Sequence, residues 1–281
     1  MRRNDPAFRS TVFESAAAPQ AQLLSRSPYS TLDPARTYAL GIALERQRGV
    51  HAIGSDRRED FDTWPGTLAY TPPGVDVFSE SETGGEYLVV RWSDEGAPLT
   101  TSHSSSGQRL YWTGHARALQ AARKLRALLL MAPSPDALAI EQATLDFVGQ
   151  MEQLAPACPT GQADAQLRTV YGRVLDRIGS DFAQPLTIAE LAQAEGRAPL
   201  QFLREFTRLV GVTPHAFIVE TRVQAARAMM RHGAESLASI ALDCGFSHQS
   251  HMGTAFRKLL GQTPRQYANA HTLSANHSSG A

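Results

Sequence analysis

The second half of the chain contains two copies of one pattern, and this repeat limits the possible folds more than any other feature of the sequence. The turn glycines Gly196 and Gly245 correspond at an offset of 49 residues, and the closing prolines Pro214 and Pro264 correspond at an offset of 50. A solenoid needs about three or more repeats to bury a continuous core, so two copies argue against that architecture. The repeat therefore predicts two similar helical units.

Each copy, at residues 186–217 and 237–267, reads as a short helix, a tight turn and a second helix. The short helix carries a small alanine that allows close approach, and the turn glycine can take the left-handed conformation. The second helix has one apolar face, formed by Phe202, Leu203 and Phe206 in the first copy and by Met252, Ala255 and Phe256 in the second. This is a helix-turn-helix arrangement, whose second helix can enter the major groove of DNA.

Between the copies, residues 214–232 form one amphipathic pattern, and proline suits the first turn of a helix. The pattern predicts inward-facing residues Phe217, Val219, Val223, Ala226 and Met229 or Met230. Nineteen helical residues span roughly 28 Å, close to the separation of about 34 Å between successive major-groove faces. A rigid helix of this length suits the presentation of both recognition helices to one side of a duplex.

Charge divides a chain that is neutral overall. Residues 1–165 hold 15 Lys and Arg against 19 Asp and Glu, whereas residues 166–270 hold 12 against 8. The length of 281 residues is about twice that of a typical domain. The segment at residues 156–164 contains proline and glycine and has no periodic pattern of apolar residues, which is typical of a linker. We predict an N-terminal domain at 1–155, a linker at 156–166, a DNA-binding domain at 167–270 and a disordered polar tail at 271–281.

The sequence pattern of the N-terminal domain changes from a β pattern to a helical pattern along its length. From residue 38 to 92, short β-branched and aromatic runs alternate with glycine and proline, which indicates a β-sandwich or a small barrel. From His115 onward the pattern is helical, with inward positions at Leu119, Ala122, Leu125 (or Arg126) and Leu129. A second helix is predicted at about residues 135–154. These two trailing helices either pack on the β-domain or pair between subunits.

Several features favour a cytoplasmic protein. The two cysteines, Cys158 and Cys244, cannot build a disulfide framework and fit a reducing compartment. The first residues, from Met1, have no apolar stretch behind their charges, so we expect no signal peptide. The most hydrophobic run, at 127–132, is too short to span a bilayer, so we expect no membrane association.

The stretch from Leu186 to Tyr267 resembles the DNA-binding domain of the AraC/XylS family of bacterial transcription regulators. The most specific part, residues 240–267, is similar to the family signature over nearly its whole length. The sequence departs from it at Ala198, where members often have serine, and at Thr207, where they often have a basic residue. The resemblance implies an α+β multidomain chain with a cupin-like β-barrel before an all-α tandem helix-turn-helix domain. It also implies a homodimeric activator that binds promoter DNA and RNA polymerase and responds to a small-molecule effector.

The family pattern assigns roles to individual residues. Base-reading positions are Leu200, Gln201, Leu203 and Arg204 in the first recognition helix and His248, Gln249, Ser250 and Thr254 in the second. Bidentate arginine on guanine is the commonest specific contact, which favours Arg204, and glutamine can pair with adenine. The expected phosphate contacts are Arg208, Arg257, Lys258 and Arg265. The alternatives are a surface Arg204 paired with Glu205 or Glu220, and a solvated basic face.

Residues 66–74 resemble the second half of a cupin barrel, but catalytic cupins carry a histidine after this turn where Val75, Asp76 and Val77 stand. His51 has no second histidine in a His-x-His pair. We therefore expect no metal, no cofactor and no catalytic residues. Two interpretations stay open for Trp64, Tyr70, Phe78 and Trp92. They line a small-molecule pocket, or they belong to the hydrophobic core.

Two other functions stay open at this stage. The first is a cupin-type enzyme with a structural helical C-terminal domain. The second is a ligand-independent regulator whose N-terminal domain only dimerises or binds another protein. For Cys244, packing in the core is the expected role; redox sensing is the alternative, and Cys158 in the linker is a candidate reactive thiol.

Overall fold

The computed structural model describes residues 19–34, 36–93, 107–131, 136–154, 162–232 and 235–277. Its first part consists of antiparallel strands, and its second part is helical. The strands are β1 (Gln20–Leu24), β2 (Tyr29–Asp33), β3 (Tyr38–Ala43), β4 (Gln47–Ile53), β5 (Glu59–Thr63), β6 (Leu68–Thr71), β7 (Val77–Ser81), β8 (Tyr87–Trp92) and β9 (Leu110–Trp112).

These strands form two separate sheets. One has five strands in the order β1-β8-β3-β6-β9, and the other has four in the order β2-β7-β4-β5. Among the described strands, no ladder of hydrogen bonds joins one sheet to the other. The expected closed barrel is therefore wrong in this respect, and the β-sandwich alternative is confirmed. Among the described strands, β1 and β9 are the edges of the first sheet, and β2 and β5 are the edges of the second.

Two helices follow the sandwich, α1 (Ala116–Leu129) and α2 (Ala137–Gly149), the second continuing into a 3-10 helix (Gln150–Gln153). Both pack on one face of the five-stranded sheet, which confirms that the trailing helices cover the β-domain. The shared core contains alternate strand residues such as Leu40, Ile42, Leu88, Val90 and Trp92, together with Leu119, Ala122, Leu125 and Phe147 from the helices. Strand residues two positions apart lie on the same face of a sheet, which explains why every second strand residue belongs to this core.

The remaining helices are α3 (Gln162–Asp181), α4 (Ile188–Ala194), α5 (Pro199–Val210), α6 (Pro214–His232), α7 (Leu237–Asp243), α8 (Gln249–Leu260) and α9 (Pro264–His277). The pairs α4–α5 and α7–α8 are the two helix-turn-helix motifs, and α6 joins them, as the repeat predicts. No described helix is both long and apolar enough to cross a bilayer.

Two helices extend beyond the predicted domain boundaries. Helix α3 begins at Gln162, inside the predicted linker 156–166, and residues 155–161 lie outside the described part of the chain. Helix α9 continues to His277, inside the predicted disordered tail 271–281, of which 278–281 are not described. Both helices extend into polar sequence. The apolar periodicity of a helix shows which residues are buried, but backbone hydrogen bonds can continue beyond the last buried residue.

Each helix-turn-helix motif has its own hydrophobic core. The first core gathers α3, α4 and α5, including Tyr171, Leu191, Phe202 and Phe206. The second gathers α7, α8 and α9, including Ile240, Phe256 and Tyr267. Helix α6 belongs to both, with Ile218 in the first and Val223, Ala226 and Met230 in the second. It therefore joins the two motifs through packed side chains at both of its ends.

Cys244 is fully buried in the second core, and its Sγ lies 3.6 Å from Sδ of Met229. Burial raises the pKa of the thiol to about 11. A buried neutral thiol is inert at physiological pH, so the packing role is the one that the structure supports. Cys158 lies outside the described residues.

The turn glycines occupy the backbone conformation that the sequence predicts, with φ of +62° at Gly196 and +77° at Gly245. Their surroundings differ. A Cβ on Gly245 would lie 2.6 Å from the carbonyl oxygen of Ala183, two residues beyond the end of α3, whereas a Cβ on Gly196 would have no neighbour within 4 Å. The second turn thus also needs glycine for close approach to another segment.

This difference predicts unequal effects of the same substitution. Gly196→Ala introduces only left-handed backbone strain and should lower the free energy of unfolding by about 1–2 kcal/mol. Gly245→Ala adds the contact with the Ala183 carbonyl, for a further loss of roughly 1–3 kcal/mol. Urea denaturation of the two variants measures the difference. Equal losses would show that the approach of α3 to the second turn does not constrain residue 245.

Candidate nucleic-acid interface

The first recognition helix, α5, turns its polar N-terminal half to solvent. Leu200 is 59% exposed, Gln201 and Arg204 are exposed, and Leu203 is half-buried. The opposite face holds Phe202, Phe206, Leu209 and Val210 in the core. Four predicted base-reading residues therefore lie on one accessible turn of helix, with Leu203 at the edge of the core.

Arg204 makes no hydrogen bond or ion pair with any described residue. The carboxylates expected to compete for it are engaged elsewhere. Glu205 accepts hydrogen bonds from Gln201 Nε2 and from the Tyr171 hydroxyl, each at 2.9 Å, and Glu220 is paired with two other arginines. The alternative in which Arg204 pairs with Glu205 or Glu220 is therefore wrong, and its guanidinium is available to a ligand.

Gln201 differs from Arg204 because its amide already has a partner. Burial alone would raise the pKa of Glu205, but the hydrogen bonds from Gln201 and Tyr171 and the charges of Arg197 and Arg208 lower it overall. Glu205 thus stays ionised and holds Gln201. For Gln201 to read a base, it must exchange this hydrogen bond for one to DNA.

The second recognition helix, α8, begins with a histidine cap. The Nδ1 atom of His248 accepts a hydrogen bond from the backbone N–H of His251 at 3.1 Å. The cap occupies Nδ1, so Nε2 is the ring nitrogen of this exposed histidine that is left to meet a ligand. Residues 249 and 250 are exposed, as is Thr254, whose hydroxyl donates to the Ser250 carbonyl at 3.1 Å. The capping role went unnoticed in the sequence, although a polar residue directly before the helix is the usual signal.

The corresponding position of α5 has no such cap. Ala198 makes no side-chain cap hydrogen bond, and Pro199 follows at the first helical position. The departure from the family pattern at Ala198 thus leaves the first recognition helix without the cap that His248 gives to the second. Both helices end alike, with left-handed glycines Gly211 and Gly261.

The predicted phosphate contacts are all exposed cations. Arg208 lies near the C-terminal end of α5, Arg257 and Lys258 lie in the last turn of α8, and Arg265 lies in the first turn of α9. Arg257 and Lys258 lie about 13 Å along α8 from its N-terminal end, at 1.5 Å per residue. This distance suits contacts to the DNA backbone beside a groove and not to bases within it.

The C-terminal ends of both recognition helices contact the N-terminal domain. A side chain on Gly114 would overlap the Arg208 carbonyl, and one on Gly66 would lie 3.0 Å from the Val210 carbonyl. At the second motif, Gln262 Nε2 donates to the Leu130 carbonyl at 3.0 Å. The N-terminal ends point away from these contacts, so the same docking that holds the helices leaves their reading ends free.

A buried network of charges lies at this interface. Arg126 of α1 has no exposed surface, and its Nη1 lies 2.6 Å from Glu220 Oε1 on α6 and 3.2 Å from Glu86 Oε2, just before β8. Arg227 Nη1 lies 2.7 Å from the other Glu86 oxygen, and Arg123 Nη2 lies 2.8 Å from Glu220 Oε2. Arg126 also donates to the Leu259 carbonyl near the end of α8 at 3.3 Å. These contacts tie the sandwich, α1, α6 and α8 together.

Opposite charges keep Glu220 ionised despite its burial. Burial would raise the pKa of Glu220, but Arg126 and Arg123 lower it below the usual range of glutamate. Removing one member of a buried ion pair leaves an uncompensated charge, which costs more than the pair itself contributes. The sequence contained one signal for this network, since Arg126 stands at a position that is apolar by the helical period of α1.

A second contact joins the four-stranded sheet to α3. Arg46 Nη1 lies 3.0 Å from Asp176 Oδ1, and Arg46 also pairs with Asp62. Beside it, Trp64 is buried in the core of the first helix-turn-helix motif, and the Arg168 guanidinium lies 4.5 Å from the centroid of its ring. Trp64 therefore anchors the two parts of the chain to each other.

The four aromatic residues predicted to line an effector pocket are not brought together. Tyr70 and Trp92 are buried in the core between the five-stranded sheet and the helices, where both ring systems approach Tyr38. Trp64 lies in a different core, and Phe78 lies beneath the Arg58 guanidinium at 4.5 Å. Sequence proximity within a β-domain does not decide which sheet face a residue occupies.

The buried network yields a prediction. Arg126→Met should lower the free energy of unfolding by about 3–5 kcal/mol, because Glu86 and Glu220 lose their shared partner. Arg177→Met is the matched control, since Arg177 forms only a solvent-exposed pair with Asp181 at 3.8 Å and should cost no more than about 1 kcal/mol. Urea denaturation followed by circular dichroism compares them.

The effect of Arg126→Met should also depend on pH. The depressed pKa of Glu220 means that its stabilising contribution is complete above the unfolded-state pKa of about 4.3 and disappears as the pH falls through the folded-state value. The difference in the free energy of unfolding between the wild type and the variant should therefore become smaller below about pH 4. Equal losses in the Arg126 and Arg177 variants at neutral pH would contradict a stabilising role for the buried pair.

Comparison with known proteins agrees with the geometry. A family described as a helix-turn-helix domain matches residues 191–270. The chain is 34% identical over 82 residues to the probable transcriptional regulator LumQ of Photobacterium leiognathi, covering 29% of this chain and 33% of that protein. It is 28% identical over 159 residues to the HTH-type transcriptional activator RhaS of Yersinia pestis, covering 55% and 57%. The matches thus span between a third and somewhat more than half of these curated relatives.

Among solved structures, a transcriptional regulator with an AraC-type DNA-binding domain from Chromobacterium violaceum is 24% identical, with a TM-score of 0.36; the match covers 38% of this chain and 96% of that one. The matched family and the relatives agree with the resemblance carried by residues 186–267. Residues 191–270 of this chain are an AraC-type helix-turn-helix domain.

Proposed function

We propose that this chain is a transcription regulator that binds a specific promoter sequence in double-stranded DNA with the N-terminal ends of α5 and α8. One observation carries the proposal. Both recognition helices are held at their C-terminal ends, while their N-terminal residues, including the unpaired Arg204, are exposed. An arginine without a protein partner on such a helix suits bidentate recognition of guanine.

The proposed readout follows the exposed positions. Leu200, Gln201, Leu203 and Arg204 would meet the bases of one half-site segment, and His248, Gln249, Ser250 and Thr254 those of the next. Helix α6 sets the spacing, since its 19 residues correspond to roughly 28 Å. Arg208, Arg257, Lys258 and Arg265 would contact phosphates and fix the register.

Three further parts of the proposal rest on family membership. The protein acts in the cytoplasm, activates transcription by contact with RNA polymerase, and answers to a small-molecule effector in its N-terminal domain. The name of the relative RhaS describes that protein as an activator. The enzyme alternative gains no support from the matched family or from the described residues, where no group of three metal-ligating side chains occurs.

Selection of bound duplexes from a random DNA pool by the full-length protein tests the central claim. We expect an enriched site with paired half-sites and a log affinity that falls linearly with log salt. Arg204→Ala should weaken binding to that site by about 1–3 kcal/mol and relax the preference at one base pair. Arg257→Ala should weaken binding to all sequences alike and reduce the salt slope by about one.

Arg177→Ala is the control for these variants, because Arg177 is an exposed arginine of α3 outside both recognition helices. Its binding should equal that of the wild type. If no sequence is enriched by residues 162–281 or by the full chain, the two motifs are a helical scaffold and not a DNA reader.

We further propose that α1 and α2 pair between two copies of the chain. An open groove of about 790 Å³ runs between them, lined by residues that include Arg117, Lys124, Leu145 and Asp146. Leu138 is 72% exposed and Leu145 43% exposed on α2. Apolar side chains beside paired charges are typical of a surface that meets a second protein.

Leu145→Glu should shift the protein from dimer to monomer in sedimentation velocity, because a carboxylate in an apolar contact is desolvated without a partner. Leu242→Glu, a similarly exposed leucine on α7, should leave the dimer intact. A Leu145→Glu protein that sediments like the wild type would contradict this interface.

A further inference from the structure

The first recognition helix carries a carboxylate beside its base-reading residues. Glu205 lies one turn after Gln201 on α5, and its side chain is 19% exposed. Both of its oxygens are occupied, since Oε1 accepts a hydrogen bond from Gln201 Nε2 and Oε2 accepts one from the Tyr171 hydroxyl, each at 2.9 Å. Because DNA is negatively charged, this carboxylate does not itself add to DNA affinity. Its effect on DNA binding must pass through the residues that it holds.

The helix-turn-helix fold does not require a carboxylate at this position. The two recognition helices correspond at an offset of 50 residues, so Ala255 of α8 stands where Glu205 stands in α5. Ala255 is packed in the second hydrophobic core, which shows that a small apolar side chain satisfies the motif there. The polar contacts of Glu205 are therefore a property of the first recognition helix and not of the motif.

A residue of the first hydrophobic core fixes Glu205 in place. Tyr171 of α3 has no exposed surface, and the centroid of its ring lies 5.5 Å from that of Phe202 and 6.1 Å from that of Phe206. Burial and the neighbouring Glu205 raise the pKa of Tyr171, so its phenol stays protonated and donates to the carboxylate. A hydroxyl on a packed ring has a fixed position, so Glu205 cannot follow Gln201 into a groove of DNA.

The ionised carboxylate also decides which end of the Gln201 amide it holds. A carboxylate only accepts hydrogen bonds, so the amide nitrogen of Gln201, and not its oxygen, faces Glu205. Pairing of glutamine with adenine needs both ends of the amide, the oxygen for N6 and the nitrogen for N7. The hydrogen bond to Glu205 directs the amide along the helix surface, toward the C-terminal end of α5. The bidentate contact with adenine therefore competes with this bond.

The two competing interactions are of similar strength. On an exposed helix surface, a pair of polar side chains four residues apart contributes little. Glu205, however, is mostly buried, and bound DNA would exclude the remaining water from it. A hydrogen bond to a charged, desolvated acceptor and a bidentate contact with adenine each correspond to about 10- to 100-fold in an equilibrium constant. Exchanging one for the other leaves little discrimination between bases.

We propose that Glu205 sets the base specificity of the first helix-turn-helix motif by holding Gln201 away from adenine. Discrimination in this motif then comes from Arg204 and its other neighbours, and the base pair that faces Gln201 is bound in any of its four forms. Glu205 is a positioning residue, because it acts through Gln201 and touches no base. This inference rests on the proposed DNA-binding function and adds to it.

The test measures the base preference at each position of the site that the full-length protein selects. Each base pair of that site is changed in turn, and the relative affinities of the duplexes are measured for the wild type and the variants. Gln201→Ala alone should change the preference at every position by no more than about 2-fold, since the wild-type amide gains nothing from one base over another.

Removing the carboxylate should reveal the base reading that it suppresses. Glu205→Ala should create a preference for adenine of about 10-fold at one base pair, because it releases the Gln201 amide. The double variant Glu205→Ala/Gln201→Ala should lose this preference again. A purely structural effect would weaken binding to all duplexes alike and would not depend on Gln201. Glu205→Met repeats the test with a side chain that fills more of the space, and the Tm of each variant shows that it is folded.

Loss of a negative charge strengthens binding to all DNA alike, so the test includes a charge control. Asp181→Asn removes a carboxylate of α3 that forms an exposed pair with Arg177 at 3.8 Å. This variant should bind every duplex of the series slightly more tightly and should show no new base preference. An adenine preference in Asp181→Asn equal to that of Glu205→Ala would assign the effect to charge and overturn the inference.

Two further results would also overturn the role of Glu205. One is a wild-type preference for adenine that Gln201→Ala removes, and the other is a Glu205→Ala or Glu205→Met protein that keeps the base preferences of the wild type. Both results require a selected site, so the proposed function stands in either case. If none of these proteins enriches any sequence, the proposed function is refuted, and this inference is refuted with it.

Discussion

A buried charge network centred on Arg126 constrains the relative placement of the two halves of this protein more than any other contact between them. Arg126 has no exposed surface and contacts Glu86 before β8, Glu220 on α6 and a carbonyl near the end of α8. A charge in this position requires all of its partners, since none can move away without leaving an unpaired ion in a medium that solvates it poorly. The network therefore favours one arrangement of the domains over others that would bury similar apolar area.

That arrangement has consequences for both ends of the recognition helices. Their C-terminal ends abut the loops and helices of the N-terminal part, and their N-terminal ends face solvent. The N-terminal domain thus contributes to the geometry with which α5 and α8 are presented, in addition to α6. In the proposed mechanism, an effector does not need to reach the DNA-binding residues, because a shift in the domain contacts changes the population of binding-competent arrangements.

The sequence supported some parts of this structure well and others poorly. The recognition helices, their turn glycines and their exposed positions follow from a repeat with strong local signals. The predicted pocket residues Trp64, Tyr70, Phe78 and Trp92 lie in three different places: the core of the first helix-turn-helix motif, the core between the five-stranded sheet and its helices, and the contact with Arg58. Aromatic residues serve cores and pockets equally, so residue type alone does not distinguish them. Arg126, Glu86 and Glu220 are far apart in the chain, and only the tertiary fold brings them into contact.

By itself, the sequence determined the two helix-turn-helix motifs, the helix between them, the β-rich N-terminal part and its two trailing helices. Each of these depends on local periodicity and on glycine or proline at fixed positions, which are properties of neighbouring residues. Tertiary structure alone decided that the sheets stay separate and that Arg126 is an internal ion with partners 40 and 94 residues away. These features depend on which distant segments meet, and a buried charge reveals its role only when its partners are known.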